Sequence, residues 1–423
     1  MSRSSAAGNT WIEEEKAVPI HIEKEADRCL NCKNPLCQNY CPIHTPIPHI
    51  IQLFKEKRVM EAGQELFTNN PMSVICAAVC NHEAQCTGHC ILGKKSTPVQ
   101  FYDIEKYISD AYLARMKPTP ARKKGKRAAV IGSGPAGLTV AVILAQNGYD
   151  VTVFERKHMI GGMLRYGIPE FRLPKSVLDR YQAMMIKLGV RFRSATTIGG
   201  ALKIEDLLRD GYASVFVGTG AWRPRTLGVH GECLPNVHFG VSYLENAGNV
   251  ELGQTVAVIG MGNVAMDVAR TAFRHGAERV MLFSQDNAST ASSHEMSYAT
   301  LDGAEFIYCK QIIRIEPEGP VFRTSVLDDS GQVIGHEEAE ELIPADSVVI
   351  AISQRPKDKL LLTTDHLEGN ARGLLLVNDN HMTTVEGVFA AGDVVTGPMT
   401  VVHAAQAAKE AAARMMQYME NHA

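Results

Sequence analysis

The sequence of 423 residues lacks a bias of charge, since 43 lysines and arginines stand against 46 aspartates and glutamates. A net charge of −3 gives no general attraction to nucleic acid or to a membrane surface. The longest nearly apolar stretch, 136–146, is too short to span a bilayer. Residues 1–16 are polar and contain three consecutive glutamates, unlike a secretory signal. We therefore expect a cytoplasmic protein of about two to four domains, with no nucleic-acid or membrane partner.

Cysteine is scarce over most of the chain: only Cys233 and Cys309 follow residue 90, whereas eight cysteines lie between residues 29 and 90. In a long chain without a secretory signal, such clustering favours metal ligation over disulfides. The first run ends in Cys41-Pro42, like the ferredoxin run whose fourth cysteine ligates a second cluster. Structural zinc is the alternative, but spacings of x4-x3 and x5-x3 differ from two CxxC pairs and favour iron–sulfur clusters. The two runs are Cys29-x2-Cys32-x4-Cys37-x3-Cys41 and Cys76-x3-Cys80-x5-Cys86-x3-Cys90.

The central motif of the chain is a glycine-rich turn between an apolar strand and an alanine-rich helix, at residues 128–146. Gly132 permits the turn, Gly134 lets the backbone approach a pyrophosphate, and Gly137 lets the helix pack on the strand. The helix N-terminus directs its positive dipole end towards the phosphates. A second apolar strand ends at Glu155, whose carboxylate would accept from a ribose hydroxyl. The predicted dinucleotide site includes Gly132, Ser133, Gly134, Pro135, Ala136, Gly137 and Glu155.

A second unit of the same kind follows at residues 255–283. It runs from a strand through Gly260-x-Gly262-x-x-Ala265 into a helix and a further strand. Two such units in one chain indicate a flavoprotein that binds two dinucleotides. The alternative is an ancient duplication in which one site is empty.

The strand that ends in Gly392-Asp393 resembles one in glutathione-reductase-like flavoproteins, where it returns to the FAD domain and the Asp carboxylate holds the ribityl chain. Residues 215–220 resemble the strand that leaves that domain. The resemblance implies an FAD-binding domain of residues 128–240 and 371–423, with an NAD(P)-binding domain of residues 241–370 inserted. Disulfide reductases of this fold need a cysteine pair beside the flavin. No CxxC or Cys-x4-Cys follows Cys90, so that activity is excluded.

These motifs, in order and together with the segment Gly-Gly-Met-Leu-Arg-Tyr-Gly-Ile-Pro at 161–169, resemble one family over residues 20–420. It comprises the small subunit of bacterial glutamate synthase, the flavoprotein subunit of NAD-dependent dihydropyrimidine dehydrogenase, and the FAD-bearing subunit of electron-bifurcating transhydrogenases. The resemblance implies an α/β protein in which an all-helical domain with two 4Fe-4S clusters, residues 21–114, precedes two Rossmann-like domains. A tail (1–20) and a basic linker (115–127) flank the helical domain. The flavin contacts that the resemblance adds are Gly162, Met163, Arg165, Gly220, Gly392 and Asp393.

The ligands of the family can be carried over by position, and one of them is not a cysteine. That ligand is a Gln or Glu on the helix after the last cysteine, which is Glu105 here. Cys76 matches a cysteine that is not a ligand. On spacing alone, Glu105 would be a solvated carboxylate, and eight cysteines could fill two four-thiolate sites. The implied sets are Cys29, Cys32, Cys37 and Glu105 for the first cluster, and Cys41, Cys80, Cys86 and Cys90 for the second.

The sequence favours NAD(H) over NADP(H). Relatives that use NADPH often have an arginine pair where this chain has Ser284 and Gln285, which lack the charged planar fork that a phosphate prefers. Arg270, Arg274 or Arg279 could still reach a phosphate. The predicted nicotinamide-dinucleotide contacts are Gly260, Gly262, Asn263, Val264, Ala265, Ser284 and Gln285.

A flavin accepts a hydride and releases electrons singly, which neither a nicotinamide nor a cluster does alone. The chain shows no glutaminase nucleophile and no FMN barrel, and His294 and His403 are scattered. We therefore expect an oxidoreductase subunit that passes electrons between NAD(P)H, FAD and two 4Fe-4S clusters, to or from at least one other redox subunit (ferredoxin-like, flavin- or metal-containing). The alternatives are the FAD-bearing subunit of a bifurcating complex that couples NAD(P)H to ferredoxin, and a non-catalytic redox sensor or scaffold.

Overall fold

The computed structural model describes residues 20–422, so the expected tail (1–20) falls outside the described residues except for Ile20, where α1 begins. Apolar side chains recur at helical spacing in the first part of the described chain: Ile47, Ile50, Ile51 and Phe54 are all buried on one helix face. No strand occurs among the described residues before Arg127. The helices of this helical unit are α1 Ile20–Asp27, α2 Leu36–Asn39, α3 Ile47–Lys55, α4 Val59–Asn69, α5 Ser73–Val79 and α6 Phe101–Arg115.

The first α/β unit alternates strands with helices, as expected of a parallel sheet covered on both faces. Strand β1 is buried over residues 128–131, and it pairs in parallel with β2 on one side and β4 on the other. The elements are β1 Arg127–Ile131, α7 Pro135–Gln146, β2 Asp150–Phe154, α8 Met163–Tyr166, α9 Lys175–Lys187, β3 Arg191–Arg193, α10 Ile204–Arg209 and β4 Tyr212–Val217.

The second α/β unit repeats this architecture and carries an added antiparallel sheet. Its parallel sheet has the order β6-β13-β7-β8-β9, and the added sheet has the order β10-β11-β12. A short ribbon of β5 and β14 lies where the chain passes between the units. The elements are β5 Arg223–Pro224, β6 Val237–Phe239, α11 Gly240–Glu245, β7 Thr255–Ile259, α12 Asn263–Arg274, β8 Arg279–Phe283, α13 Ser293–Leu301, β9 Glu305–Ile307, β10 Lys310–Glu316, β11 Gly319–Leu327, β12 Val333–Leu342, β13 Ser347–Ile350 and β14 Gln354–Arg355.

The chain then returns to the first unit, where β15 joins the first sheet beside β4 and completes the order β15-β4-β1-β2-β3. The second sheet is therefore built from residues that lie between the two parts of the chain that form the first sheet. The returning elements are α14 Lys359–Thr363, β15 Val388–Ala390, α15 Asp393–Thr396 and α16 Val401–Asn421.

The boundaries of the insertion differ from the expected residues 241 and 370. Strand β6 pairs with β13, so the second sheet already contains residues 237–239. Leu360 and Leu367 are buried with Ala129 and Val215 of the first unit, so the return occurs before residue 371. The motifs lie inside the units, whereas strand pairing and burial set where each unit ends.

The helical unit packs directly on the first α/β unit. Met72, Ile75 and Cys76 share one buried cluster with side chains of α7, α9 and α16. The Lys409 ammonium on α16 donates to the main-chain oxygen of Asn69 at 3.0 Å. None of the described helices combines the length and the apolar character needed to cross a membrane.

Candidate functional site: a dinucleotide cavity and two cysteine groups

The first glycine turn has the geometry that each of its glycines predicts. Gly132 has φ +98°, and a Cβ there would lie 2.6 Å from the Gly218 carbonyl oxygen. A Cβ on Gly137 would lie 2.0 Å from the carbonyl oxygen of Gly132, so helix and strand touch through this glycine. A Cβ on Gly134 would meet nothing within 4 Å. The protein therefore leaves no room for a side chain at Gly132 and Gly137, whereas the space beside Gly134, where α7 begins, is open.

Glu155 is buried at the end of β2 and faces this turn. One carboxylate oxygen accepts from the Ser133 main-chain N–H at 2.9 Å and from its hydroxyl at 2.6 Å. The other accepts from the main-chain N–H of Lys157 at 2.8 Å. The carboxylate oxygens retain lone pairs that can accept from a ribose hydroxyl, as the sequence predicts.

A cavity of about 470 Å³ adjoins the turn. Three predicted flavin residues do not line it. Gly137 packs inside the turn, Gly392 (φ +77°) approaches Ala136, and Arg165 donates to the Ile160 carbonyl oxygen at 2.8 Å. The predicted residues that do line the cavity are Gly132, Ser133, Gly134, Pro135, Ala136, Glu155, Gly162, Met163, Gly220 and Asp393.

Asp393 lies where the returning strand meets the cavity, at the start of α15. Burial raises the pKa of its carboxyl to about 6, and the main-chain N–H of Met399 donates to it at 3.1 Å. A carboxylate held at the edge of the cavity suits the role of accepting from a ligand hydroxyl.

Sequence reasoning missed several lining residues. Arg156 and Trp222 lie on the cavity wall, with the guanidinium 4.8 Å from the indole centroid. Val79 of the helical unit also lines the cavity, as do Arg172 and Asp267. Arg156 directly follows Glu155, and that adjacency is the one signal that could have found it. The other missed residues reach the cavity only through tertiary packing.

The second glycine turn lies beside the same cavity, although Gly260 and Gly262 do not themselves line it. Gly260 has φ +123°, and a Cβ there would lie 2.5 Å from the carbonyl oxygen of Ala351. Helix α12 begins after Gly262, and its first residues, Asn263 and Val264, line the cavity. Ala265 is fully buried at the third position of the motif. The helices that follow the two turns, α7 and α12, therefore begin at one shared space.

The remaining predicted nicotinamide contacts lie at the end of β8. The Ser284 hydroxyl accepts from the main-chain N–H of Asp286 at 3.2 Å, and Gln285 is exposed. The nearby arginines are engaged elsewhere: Arg270 and Arg274 both bind Asp302, and Arg279 binds Glu305 at 2.8 Å. None of these arginines lines the cavity.

The cysteines of the helical unit fall into two groups. We call Cys29, Cys32, Cys37 and Cys90 the Cys29 group, because all four border one small cavity. Burial, followed by the charges of neighbouring Cys90, Cys29 and Cys32, raises the pKa of the Cys37 thiol to about 11.

We call Cys41, Cys80, Cys86 and Glu105 the Cys41 group. Burial, followed by the charges of Glu105 and Cys41, raises the pKa of the Cys86 thiol to about 12. The Glu105 charge also raises the pKa values of Cys41 and Cys80, although burial and, for Cys80, a hydrogen bond with Cys76 contribute more. Burial raises the pKa of Glu105 itself well above its usual range.

In the structure, Cys90 lies with the Cys29 group and Glu105 with the Cys41 group. The sets implied by the resemblance have these two residues the other way round. The segment after Cys90 folds back onto α1, where the Gln100 main-chain N–H donates to Glu25 at 2.7 Å and Arg28 donates to Thr97. That return places Cys90 beside Cys29. Packing of α6 on α4 and α5 turns Glu105 towards Cys41 and Cys80 instead.

Both groups have the donors that an iron–sulfur cluster needs. Within residues 20–422, no three His, Cys, Asp or Glu side chains converge closely enough to hold a single metal ion. A cluster is ligated at separate corners by thiolates. The buried Glu105 carboxyl gives the Cys41 group an oxygen donor beside its three thiols. The donor chemistry therefore fits a cluster in each group.

Two family models match successive parts of the chain. Residues 126–408 match the family model of pyridine nucleotide-disulphide oxidoreductases, and residues 9–117 match the model of dihydropyrimidine dehydrogenase domain II, 4Fe-4S cluster. The glutamate synthase (NADPH) small chain of Halomonas elongata is 34% identical, over 95% of this chain and 92% of that one. The NAD-dependent dihydropyrimidine dehydrogenase subunit PreT of Escherichia coli K12 is 30% identical, over 94% of each chain.

Solved structures show the same fold at lower identity. Mycobacterium tuberculosis FprA in complex with NADPH aligns with a TM-score of 0.59 and 18% identity, over 70% of this chain and 85% of that one. The thioredoxin reductase of T. acidophilum aligns with a TM-score of 0.53 and 19% identity, over 70% of this chain and 98% of that one.

Proposed function

Because the chain belongs to the pyridine nucleotide-disulphide oxidoreductase family and is an NAD(P)H-dependent oxidoreductase, we propose that it is an electron-transferring subunit. In this proposal it binds FAD and two 4Fe-4S clusters and passes electrons between NAD(P)H and a partner redox subunit in the cytoplasm. The observation that carries the proposal is the shared cavity. Gly134 of the first turn, Asn263 of the second turn and Val79, the neighbour of Cys80, all line it.

The residues around the cavity can hold the two dinucleotides. Gly134 and the start of α7 receive the FAD pyrophosphate, Glu155 accepts from its ribose, and Asp393 accepts from its ribityl chain. Asn263 and Val264 hold the nicotinamide dinucleotide. When bound, FAD supplies hydride acceptance from NAD(P)H and release of single electrons.

The two cysteine groups stand in series between the cavity and the surface. Cys80 follows Val79, which lines the cavity, so the Cys41 group is the nearer one. Cys86 of that group also borders the small cavity of the Cys29 group. At the rim of this second cavity, Leu30 and Ile91 are 60% and 44% exposed. The Cys29 group is therefore the one placed to meet a partner.

Cofactor content and reduction test the proposal. Protein purified without oxygen should hold one FAD and about eight irons with as much acid-labile sulfide, four per cluster. NADH or NADPH should bleach the flavin absorption and reduce an added one-electron acceptor. Stoichiometric zinc without acid-labile sulfide would contradict the cluster assignment, and a flavin that neither nucleotide bleaches would contradict the function.

The nicotinamide preference is a separate part of the proposal. The relatives include enzymes named for NADPH and for NAD, so the preference for NAD(H) rests on Ser284, Gln285 and the engaged arginines. NADH should give the larger kcat/KM for dye reduction by about tenfold, or ~1.4 kcal/mol. The double variant Ser284→Arg/Gln285→Arg should shift the preference towards NADPH.

The matched control is Leu301→Arg, which adds positive charge at an 80% exposed position of the same unit. It should leave the preference unchanged. A wild-type protein that prefers NADPH tenfold would show that other residues bind the 2′-phosphate.

The alternative of a bifurcating subunit has no specific support in these observations and stays a hypothesis. The alternative of a sensor without catalysis is set aside, because the chain is an oxidoreductase by family.

A further inference from the structure

The loop between α8 and α9 joins the two α/β units through a buried arginine. Arg172 of this loop places Nη1 2.7 Å from Asp267 Oδ2, on α12, and Nε 2.9 Å from Glu295 Oε1, on α13. The side chains of Arg172, Asp267 and Glu295 are only 12%, 5% and 9% exposed. One guanidinium of the first unit therefore binds two carboxylates of the second, largely out of water.

A second contact of the same loop reinforces the first. The Phe171 ring lies beneath two guanidiniums of α12, with Arg270 and Arg274 at 4.5 and 4.2 Å from its centroid. Arg270 in turn binds Glu295 at 3.2 Å, so this carboxylate joins both arginine contacts. The loop is thus held to α12 and α13 at two neighbouring points.

The loop is also connected, through α8, to the first glycine turn. A Cβ on Gly162, the residue before α8, would lie 2.9 Å from the Cα of Gly134, so the start of α8 touches the turn. The half-buried side chain of Lys175 donates through its ammonium to the carbonyl oxygens of Leu164 and Leu173, at 3.0 and 3.1 Å. Helix α8 and the loop together therefore form a braced link that runs from the Gly134 turn to α12.

Both ends of this link border the cavity in which the two dinucleotide sites meet. Arg172 and Asp267 themselves line it, and Asp267 Oδ1 has no hydrogen-bond partner among the described residues. Apolar side chains would close such an interface at lower cost in desolvation than a buried charge cluster. A charge cluster, however, fixes the direction and the distance between the elements that it joins, because a guanidinium binds carboxylates in a planar geometry.

We infer that Arg172 is a positioning residue that holds α12 against the loop between α8 and α9. It thereby keeps a nicotinamide bound at the second glycine turn at reacting distance from the flavin. The inference rests on the proposed function, in which a hydride carrying two electrons leaves the dihydronicotinamide and reduces the flavin. Arg172 sets the rate of that transfer. FAD binding and the two cysteine groups do not depend on it.

The test compares Arg172→Met, which keeps the length of the side chain, with Arg172→Lys, which keeps its charge but cannot bind both carboxylates in the same way. Stopped-flow bleaching of the flavin by saturating NADH should slow about tenfold to a hundredfold in Arg172→Met, the range that small misplacements cost. Arg172→Lys should recover part of the loss. KM should change much less than kcat, and FAD and iron content should equal wild type.

A second readout needs no turnover. In the absence of nucleotide, amide hydrogen exchange should rise in the loop (residues 167–174) and in α12 of Arg172→Met, and stay unchanged in α16. The matched control is Arg279→Met, which breaks an ion pair between β8 and β9 of the second unit. It should change neither the bleaching rate nor the exchange in the loop.

Wild-type bleaching rates in Arg172→Met with normal FAD content would overturn the inference. If Arg172→Met loses FAD or iron, the charge-conserving variant Arg172→Met/Asp267→Asn removes the carboxylate that has lost its arginine, while Glu295 keeps its ion pair with Arg270. Loss of FAD there too would also overturn it, since the role would then be structural. A wild-type flavin that neither NADH nor NADPH bleaches would refute the proposed function instead.

Discussion

Gly134→Val is expected to empty the flavin site of a chain that still folds and still carries its iron. A Cβ at this position meets nothing within 4 Å, and the backbone (φ −73°, ψ −176°) is extended, so the folded protein tolerates a side chain there. The open space is where a pyrophosphate must approach the start of α7. We expect FAD affinity to fall about a hundredfold or more, equivalent to ~2.7 kcal/mol. Flavin absorbance per iron in the purified protein measures this.

Two further glycine variants separate loss of binding from loss of folding. Gly335→Val places the same side chain in equally open space on β12, away from the cavity, and should leave FAD content unchanged. Gly137→Val should destabilise the whole unit, because its Cβ would lie 2.0 Å from the Gly132 carbonyl oxygen. Full FAD content in Gly134→Val would mean that the cofactor does not lie on this turn.

Removal of Cys90 is expected to cost the chain one cluster, and the identity of that cluster distinguishes the two ligand assignments. In the structure Cys90 borders the same cavity as Cys37. Cys37→Ala, Cys90→Ala and the double variant should therefore each retain about four of about eight irons, because all three remove the same cluster. If Cys90 instead belonged with Cys41 and Cys80, the double variant would lose nearly all its iron.

The companion variants test Glu105. Glu105→Ala should perturb the cluster of the Cys41 group alone, and Cys37→Ala/Glu105→Ala should damage both clusters. Cys309→Ala is the matched control and should keep about eight irons, since Cys309 lies outside both donor groups. Cys76→Ser should also keep them, because Cys76 hydrogen-bonds Cys80 without belonging to a donor group. Loss of a cluster in Cys76→Ser, with a silent Glu105→Ala, would show that Cys76 is the fourth ligand. Iron analysis and electron paramagnetic resonance of the reduced protein decide between these outcomes.

The glycine turns could be predicted because their determinants are local. The turn at Gly132, the open position at Gly134 and the close packing at Gly137 each follow from a neighbour within a few residues or from the adjoining strand. Glu155 could be placed for the same reason, since it ends the strand that pairs directly with β1.

The membership of Cys90 and Glu105 could not be read from spacing, because it depends on how residues 91–100 return to α1. One signal was available. The last cysteine of a ferredoxin run crosses to the other cluster, and the sequence predicts this crossing for Cys41. The structure places Cys90, the last cysteine of the second run, in the same crossed position. No sequence pattern identifies Arg172 as a site residue, because the carboxylates that it binds lie about a hundred residues away in another unit.

The central claim is that the two cysteine groups stand in series between the dinucleotide cavity and the surface. Its most direct test is electron paramagnetic resonance after reduction by NADH, in Cys90→Ala and Cys80→Ala protein, with dithionite as the reference. In Cys90→Ala, NADH should reduce the remaining cluster of the Cys41 group as in wild type. In Cys80→Ala, the remaining cluster of the Cys29 group should be reduced by dithionite but not by NADH. Reduction of that cluster by NADH at the wild-type rate in Cys80→Ala would contradict the account.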